Sequence, residues 1–412
     1  MNILRFLNAG ESHGPTLTAV VEGMPAGLAV DMQAMQQAMQ RRQQGFGKSA
    51  RMRMERNRVR ISAGVVLGVT TGGPIALHLD NADHSNWIDR EVDAMTTPRP
   101  GHVDYAAAIK YGYNDLRHGS ERSSARETAM RVCAAALCQQ LLQQLNIQLG
   151  GWVVQVGPLQ IDDQQHSYTP KECKQRMQQA ANSAFALCNS EHDERVHKAI
   201  FACMKQRDTF GGVVEVSAVG VPIGLGSHVQ WDRRLDAQLA MAVMSVPAIK
   251  GVEVGPALAN ASKQGTQVHD AFQLQRDGGH IERSSNRAGG IEGGISNGQP
   301  VVVRAAMKPI STTLTPQSSV NLATGQPEPT RYQRSDFCAV TRAVPIVEAM
   351  VAMVLTDALL HKLGGDSMQE IKQRFSQLPT GNLSDLALHN RPWRMFPATD
   401  INPDASSPAD KR

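Results

Sequence analysis

Gly64-Val-Val-Leu-Gly68-Val-Thr-Thr-Gly72-Gly-Pro74-Ile75 is matched in the second half of the chain by Gly290-Ile-Glu-Gly-Gly294-Ile-Ser-Asn-Gly298-Gln-Pro300-Val301. Three glycines, one proline and three branched apolar positions coincide. Read as an internal repeat, the pair predicts two similar halves packed about a pseudo-twofold axis, each with a strand–turn–strand unit. One large domain then follows rather than two independent ones. Coincidence within a glycine-rich chain is the alternative.

Working outward, Val- and Ile-rich runs bounded by glycine predict strands over 59–66, 75–79, 153–156, 213–219 and 300–307. A helix is expected over 32–42. Ser124 to Glu127 reads as a capping box ahead of a helix over 128–145, and Thr169-Pro170-Lys-Glu172 and Ser367-Met-Gln-Glu370 read as two more. Pro345 is expected to open an apolar helix that Gly364-Gly365 closes. The segment 233–246 reads as a helix that is apolar after its first turn, hence buried on most sides. Strands and helices alternate too irregularly for a Rossmann series. The fold class is α+β.

The chain has 412 residues, 41% hydrophobic and 19% charged, a globular balance. Lys and Arg number 42 against 38 Asp and Glu, a formal charge of +4, and aromatics are 4%. That balance excludes a dedicated nucleic-acid coat, and so few aromatics argue against stacking platforms for single strands. The most apolar stretch, 343–360, carries Glu348 and Asp357, so no membrane span is expected. The N-terminus lacks the apolar region of a signal peptide. The six cysteines, at 133, 138, 173, 188, 203 and 338, form no CxxC pair. Neither a metal site nor a disulfide framework is expected, and the chain reads as cytoplasmic. From about Arg391 the composition turns to Pro, Asp, Ser and Ala. Residues 391–412 are expected to be a disordered tail after a single domain over 1–390.

Polar clusters mark candidate chemistry. Between 41 and 60 stand Arg41, Arg42, Lys48, Arg51, Arg53, Arg56, Arg58 and Arg60 against Glu55 alone. The arginine fork suits carboxylate and phosphate, and Gly45 and Gly47 would let the backbone bend round a ligand; a solvated basic face is the plain alternative. Gly45 to Ala50 fits G-x-G-x-x-A but follows a helix, not a strand. Gly47-Lys48-Ser49 lacks the first glycine of a P-loop, because Arg42 stands there. Gly10-Glu11-Ser12-His13-Gly14 fits a nucleophile elbow formally, without its flanking elements. Arg99-Pro-Gly-His102-Val-Asp104 is a second histidine turn. Arg117 to Arg126 (RHGSERSSAR) offers an anion site at a helix N-terminus through Arg122, Ser123 and Ser124. The glycine-dense loop 286–298, Lys308 to Thr312, and Arg334-Ser-Asp336 complete the set.

Taken together these segments resemble chorismate synthase. The carrying stretches are GESHG (10–14), RRQQGFGKSARM (41–52), RPGHVDYAAAIKYG (99–112), ERSSARETAMRV (121–132), AIKGVEVG (248–255), NRAGGIEGGISNGQPVVVRAAMKPIST (286–312) and RSDFCAV (334–340). Seven in order are specific, they span about Asn2 to about Gln377, and the bacterial branch of the family looks nearest. The resemblance implies a β-α-β sandwich with helices between antiparallel sheets, assembled as a homotetramer. It implies a carbon–oxygen lyase that takes 5-enolpyruvylshikimate-3-phosphate to chorismate by 1,4-anti elimination of phosphate. This is the last step of the shikimate pathway towards aromatic amino acids. Reduced FMN is required without net redox change.

By the same resemblance His13 is the proton source for the leaving phosphate, and His102 stands near the flavin. Asp336 handles protons there, and Ser12 and Ser124 position these groups. FMN positions carried over are Arg122, Ser123, Ser124, Pro247, Ala248, Gly293, Lys308, Pro309, Ile310, Ser311, Thr312 and Arg334. Arg42 and Lys48 match positions given to the phosphate of a pyridine nucleotide, so NADPH is a candidate reductant; they serve the substrate equally well. Arg42, Lys48, Arg51, Arg122 and Arg334 are the substrate candidates, since two carboxylates and a phosphate need dense positive charge. This chain departs from the family pattern at Lys48 (arginine is common), at Pro247 (a polar residue is usual) and at Phe337 (a smaller residue or proline is usual). Two competitors remain: an NAD(P)H-dependent flavin reductase, or a separate reductase partner supplying the flavin; and an RNA-binding module using 41–60.

Overall fold

The computed structural model describes residues 3–44, 58–162, 168–275, 279–333 and 335–392. Lys48, Arg51, Arg53, Glu55, Arg56, Gly45, Gly47, Arg334 and the tail from 393 lie outside the described residues.

In chain order the first half contains β1 (Arg5–Ala9), β2 (Thr16–Glu22), α1 (Met32–Gln43), β3 (Val59–Ala63), a short hairpin β4 (Val65–Val66) and β5 (Val69–Thr70), then β6 (Ile75–Asp80). Helices α2 (Asp104–Tyr111), α3 (Arg117–Ser123) and α4 (Thr128–Gln144) follow. The second half contains β7 (Gln148–Val156), β8 (Leu159–Gln160), α5 (Pro170–Asn182), α6 (Asp193–Lys205), β9 (Gly212–Val219), α7 (Leu235–Met244) and β10 (Ile249–Val254). Next come α8 (Ala257–Ala261), α9 (Gly265–Val268), the pairs β11 (Phe272–Leu274) with β12 (Ile281–Arg283) and β13 (Ile291–Glu292) with β14 (Ile295–Ser296), and β15 (Val301–Met307). Helices α10 (Val340–Leu363) and α11 (Met368–Phe375) end the described chain.

Two antiparallel sheets carry the fold. One has the order β1-β2-β6-β3, and the other, read from its β7 side, has β7-β9-β15-β10 with β8 added at the β7 edge. The orders correspond strand for strand, and the preceding hairpins correspond as well. Helix α4 packs on β1, β2 and β6, α10 packs on β7 and β9, and the two helices pack on each other, so helices lie between antiparallel sheets. Fully buried Leu17, Ile75, Leu77 and Leu79 of one sheet and Val214, Val216, Val301 and Val303 of the other join Leu137, Leu141, Val347 and Leu355 in one core. The α+β sandwich expected above is the fold observed.

The aligned glycines explain the repeat. Gly64 and Gly290 have φ of 83° and 80°, Gly68 and Gly294 79° and 86°, Gly72 and Gly298 87° and 88°. A Cβ at Gly64 would strike the Pro74 carbonyl and Ile75, and one at Gly290 would strike the Pro300 carbonyl and Val301. Only glycine meets both demands. A second repeat escaped the sequence reading: Gly23-Met-Pro25-Ala-Gly27-Leu28 and Gly220-Val-Pro222-Ile-Gly224-Leu225. Thr70 Oγ1 donates to the Pro25 carbonyl (2.6 Å) and accepts from Leu28 N (2.9 Å). Ser296 Oγ repeats both bonds with Pro222 (2.6 Å) and Leu225 (2.8 Å).

Local expectations were corrected in three places. The run 59–66 breaks at Gly64, whose left-handed backbone ends β3. Ser124 caps a 3-10 turn over Ala125–Glu127 rather than α4 itself, because the Glu127 carboxylate that would complete a capping box bonds Asn8 and Arg131 instead. Pro345 lies inside α10, which begins at Val340; burial of nearly the whole helix offsets the backbone bond that proline removes. That helix is 24 residues, long and apolar enough to cross a membrane by length and composition, yet it forms the buried centre of the sandwich. The Thr169–Glu172 capping box with Pro170 in the first turn forms as expected.

Candidate active site

Segments leaving the equivalent strands β6 and β15 meet at one end of the sandwich. Leu322 N donates to the Thr96 carbonyl (3.0 Å), Ser319 Oγ donates to the Pro98 carbonyl (2.6 Å), and the Lys308 ammonium donates to the Gly101 carbonyl. Gly101 has a φ of 73°, and a Cβ there would come 3.3 Å from Lys308 Nζ. The Arg99–Asp104 turn is thus pinned against Lys308 and Ser311.

Asp104 organises this turn. It is fully buried and accepts Arg99 Nε at 2.8 Å and Arg99 Nη2 at 2.8 Å, while His102 Nδ1 lies 2.6 Å from its Oδ1. Burial alone would push its carboxyl up. Hydrogen bonds from Arg99 and His102, and their positive charge, outweigh that and hold it well below the usual carboxylate range. Arg99 also donates to Gln333 Oε1 (2.8 Å) and to Ser120 Oγ (2.7 Å).

Ser120 lies on α3, and its neighbour Glu121 reaches the other histidine. Glu121 Oε1 lies 2.5 Å from His13 Nδ1, and Oε2 accepts the His13 main-chain N–H at 2.8 Å. The Trp87 ring packs against the imidazole, 4.0 Å between centroids. Ser12 is buried, its N–H donating to the Glu121 carbonyl (3.1 Å) and its own carbonyl accepting Asn81 Nδ2 (3.1 Å). One short helix therefore ties the His13 loop to the His102 turn through adjacent residues.

Other candidates divide. Ala248 has a φ of 70° and its carbonyl accepts the Lys308 N–H at 2.9 Å, which brings Pro247 and Ala248 beside Lys308 and Pro309. The Ile310 carbonyl accepts Thr209 Oγ1 (2.8 Å), and the buried Thr312 presents its carbonyl to Ser335 Oγ (3.0 Å), next to Asp336. Asp336 pairs with the Arg342 guanidinium, which is buried on α10. Arg122 is exposed and donates to Asn8 Oδ1 (2.8 Å), and the Ser123 hydroxyl donates to the Ser120 carbonyl (3.4 Å). Arg42 is buried: its guanidinium donates to Thr128 Oγ1 (3.0 Å) and to the Ala125 carbonyl (2.8 Å), tying α1 to the start of α4. Arg41 likewise turns inward, to Glu348. Gly293 stands apart. It tips the β13–β14 hairpin before β15, whereas Lys308 follows β15, and seven residues of strand span ~20 Å.

A phosphate-bearing flavin fits the joined group. Lys308 supplies a cation, Ser123, Ser124 and Ser311 supply hydroxyls, and the positive φ of Gly101 and Ala248 turns the backbone without bulky side chains at the approach. Gly293 of the same chain is the exception.

Glu121, Asp104 and Arg99 stood inside quoted motifs, but nothing in their spacing assigned them a role. Trp87 gave no signal.

Two histidines, each with Nδ1 against a carboxylate, at a cation- and hydroxyl-lined end of an α+β sandwich, mark an enzyme that acts on a small molecule. The chorismate synthase family model matches residues 4–360. Chorismate synthase of Trichlorobacter lovleyi is 46% identical over 387 residues, covering 90% of this chain and 97% of that protein. The Chlorobium phaeovibrioides enzyme is 45% identical over 386 residues, covering 91% and 97%. A crystal structure of chorismate synthase superimposes with a TM-score of 0.75 at 39% identity, covering 90% of this chain and 96% of that one. The chain belongs to the chorismate synthase family.

Proposed function

We propose that this chain eliminates phosphate from 5-enolpyruvylshikimate-3-phosphate to give chorismate, as a carbon–oxygen lyase in aromatic biosynthesis. The observation that carries this reading is the linked pair of histidines, His13 on Glu121 and His102 on Asp104, joined through Ser120 and Glu121 of α3.

His13 delivers a proton to the departing phosphate oxygen, the general-acid role that an imidazole held by a carboxylate suits. Ser12 fixes the loop that carries it. His102, held by Asp104, and Asp336, held by Arg342, manage protons at the flavin. Arg122, Ser123, Ser124, Pro247, Ala248, Lys308, Pro309, Ile310, Ser311, Thr312 and Arg334 would hold FMN, with Gly293 supplied by another subunit of a homotetramer. The chemistry that reduced FMN supplies when bound is a reversible loan of electron density to the breaking carbon–oxygen bond. Lys48, Arg51, Arg122 and Arg334 meet the substrate's anionic groups. Arg42, buried on Thr128 and the Ala125 carbonyl, holds α1 to the start of α4 rather than touching a ligand, which leaves Lys48 as the candidate contact for NADPH. Residues 1–390 act as one catalytic unit. Cytoplasmic placement belongs to the same reading, and the six unbridged cysteines support it.

The test is an anaerobic assay with 5-enolpyruvylshikimate-3-phosphate and chemically reduced FMN, following chorismate and phosphate together. Equal yields far above the flavin present are expected. Folded protein that binds FMN but gives no product would overturn the reading. Steady NADPH oxidation with FMN alone would add a flavin reductase activity.

A further inference from the structure

Glu121 touches His13 at two atoms. One carboxylate oxygen accepts the His13 main-chain N–H at 2.8 Å and the other lies 2.5 Å from Nδ1, while the Glu121 carbonyl accepts the preceding Ser12 N–H at 3.1 Å. The ring also packs against Trp87, whose Nε1 donates to the buried Asp83 (3.2 Å). His84 Nδ1 lies 2.9 Å from the His13 carbonyl. Main chain and ring of His13 are thus held from three elements: α3, the Asp83–Trp87 turn and its own loop.

An ionised carboxylate only accepts hydrogen bonds, so the hydrogen between Glu121 and His13 belongs to Nδ1. With Nδ1 engaged, proton transfer to substrate falls to Nε2. We infer that Glu121 is the positioning residue for His13, fixing its tautomer and ring plane so that Nε2 faces the leaving phosphate. This rests on the general-acid reading of His13 given above. The logic is that of a carboxylate orienting a catalytic imidazole, built here on a short helix in which the residue before Glu121, Ser120, is bonded to Arg99 of the His102 turn. The alternative is a staple that only joins the β1–β2 loop to α3.

Glu121→Gln separates the two, because it keeps the side-chain shape and an oxygen for the His13 main-chain N–H. Positioning predicts that kcat falls on the order of 10²-fold while KM, FMN binding and melting temperature stay near wild type. It also predicts that a downfield Nδ1–H proton resonance, assigned to His13 by its absence in His13→Ala, disappears in Glu121→Gln. Glu121→Asp should recover part of kcat. His13→Ala is run beside it. If His13→Ala is inactive and Glu121→Gln turns over like wild type, the positioning role is wrong and the acid assignment stands. A fully active His13→Ala would instead remove the acid assignment on which the inference rests. If Glu121→Gln does not fold, Glu121→Asp carries the same readouts: loss of the Nδ1–H resonance with wild-type kcat overturns the inference.

Discussion

His102 Nδ1 lies 2.6 Å from Asp104 Oδ1, the same oxygen that accepts Arg99 Nη2 at 2.8 Å. A buried carboxylate here serves a histidine and an arginine at once. Each site histidine therefore rests on a carboxylate, but on carboxylates of different depth: Asp104 is fully buried, whereas Glu121 is half-buried.

Asp104→Asn should cost about 3 kcal/mol at neutral pH, because Arg99 loses its ion pair in a buried setting. The pH dependence has a definite sign. A carboxyl held below its unfolded value of about 3.9 contributes stability that is present above that pH and lost as pH falls towards the depressed native value. Wild type should lose stability below about pH 4 more steeply than Asp104→Asn. Urea melts of both proteins from pH 7 to pH 3 check this, and identical acid limbs would count against it.

Asp336→Ala should slow turnover more than it weakens FMN binding. It also strands the buried Arg342 guanidinium, so a stability loss of about 2–3 kcal/mol is expected alongside. Asp336→Asn, which keeps a hydrogen-bond acceptor, should recover much of the stability but not the turnover. Flavin titration, stopped-flow turnover and thermal melts on both variants separate the effects; a pure loss of affinity would argue against a proton-handling role.

Glu348 holds the sandwich together from inside α10. It accepts both arms of Arg41 (2.8 and 2.9 Å) and the Gly151 N–H of β7 at 2.8 Å. Glu348→Ala leaves a buried N–H without its acceptor and a partly exposed arginine without its partner. About 2–3 kcal/mol of destabilisation is expected, discounted for the solvent that reaches Arg41. A shift in denaturant midpoint without a change in slope is the check.

Gly64→Ala and Gly290→Ala should destabilise by matching amounts, at least ~1–3 kcal/mol each, since both meet a positive φ and a backbone carbonyl in the same relation. Paired thermal melts decide this. A large loss at one site only would mean that the two halves carry unequal strain.

Thiol labelling at pH 8 should spare Cys133 and Cys138, both pushed up to about 12 by burial, until the protein unfolds. Mass spectrometry before and after denaturant reads the difference.

The sequence by itself determined more of the fold than of the site. The repeat was legible because left-handed turns demand glycine, so Gly64, Gly68 and Gly72 had to recur as Gly290, Gly294 and Gly298. The second repeat, at Gly23 and Gly220, was equally legible and passed unread because the two repeats are offset differently in the two halves. The cap at Thr169 and the glycine stop at Gly364 were local chemistry and could be read locally. Tertiary structure decided what local rules could not. Pro345 stays inside a helix because the core on every side outweighs one missing bond. Glu127 abandons its cap for Asn8 and Arg131. Arg41, half-buried, and Arg42, buried, leave a basic run to become structural ties, since the same fork that suits a ligand also suits Glu348 and Thr128. The histidines and their carboxylates were visible inside motifs, but the pairing of each histidine with its carboxylate was not. Glu121 is 108 residues from His13 in sequence, and only packing α3 against the β1–β2 loop makes them partners.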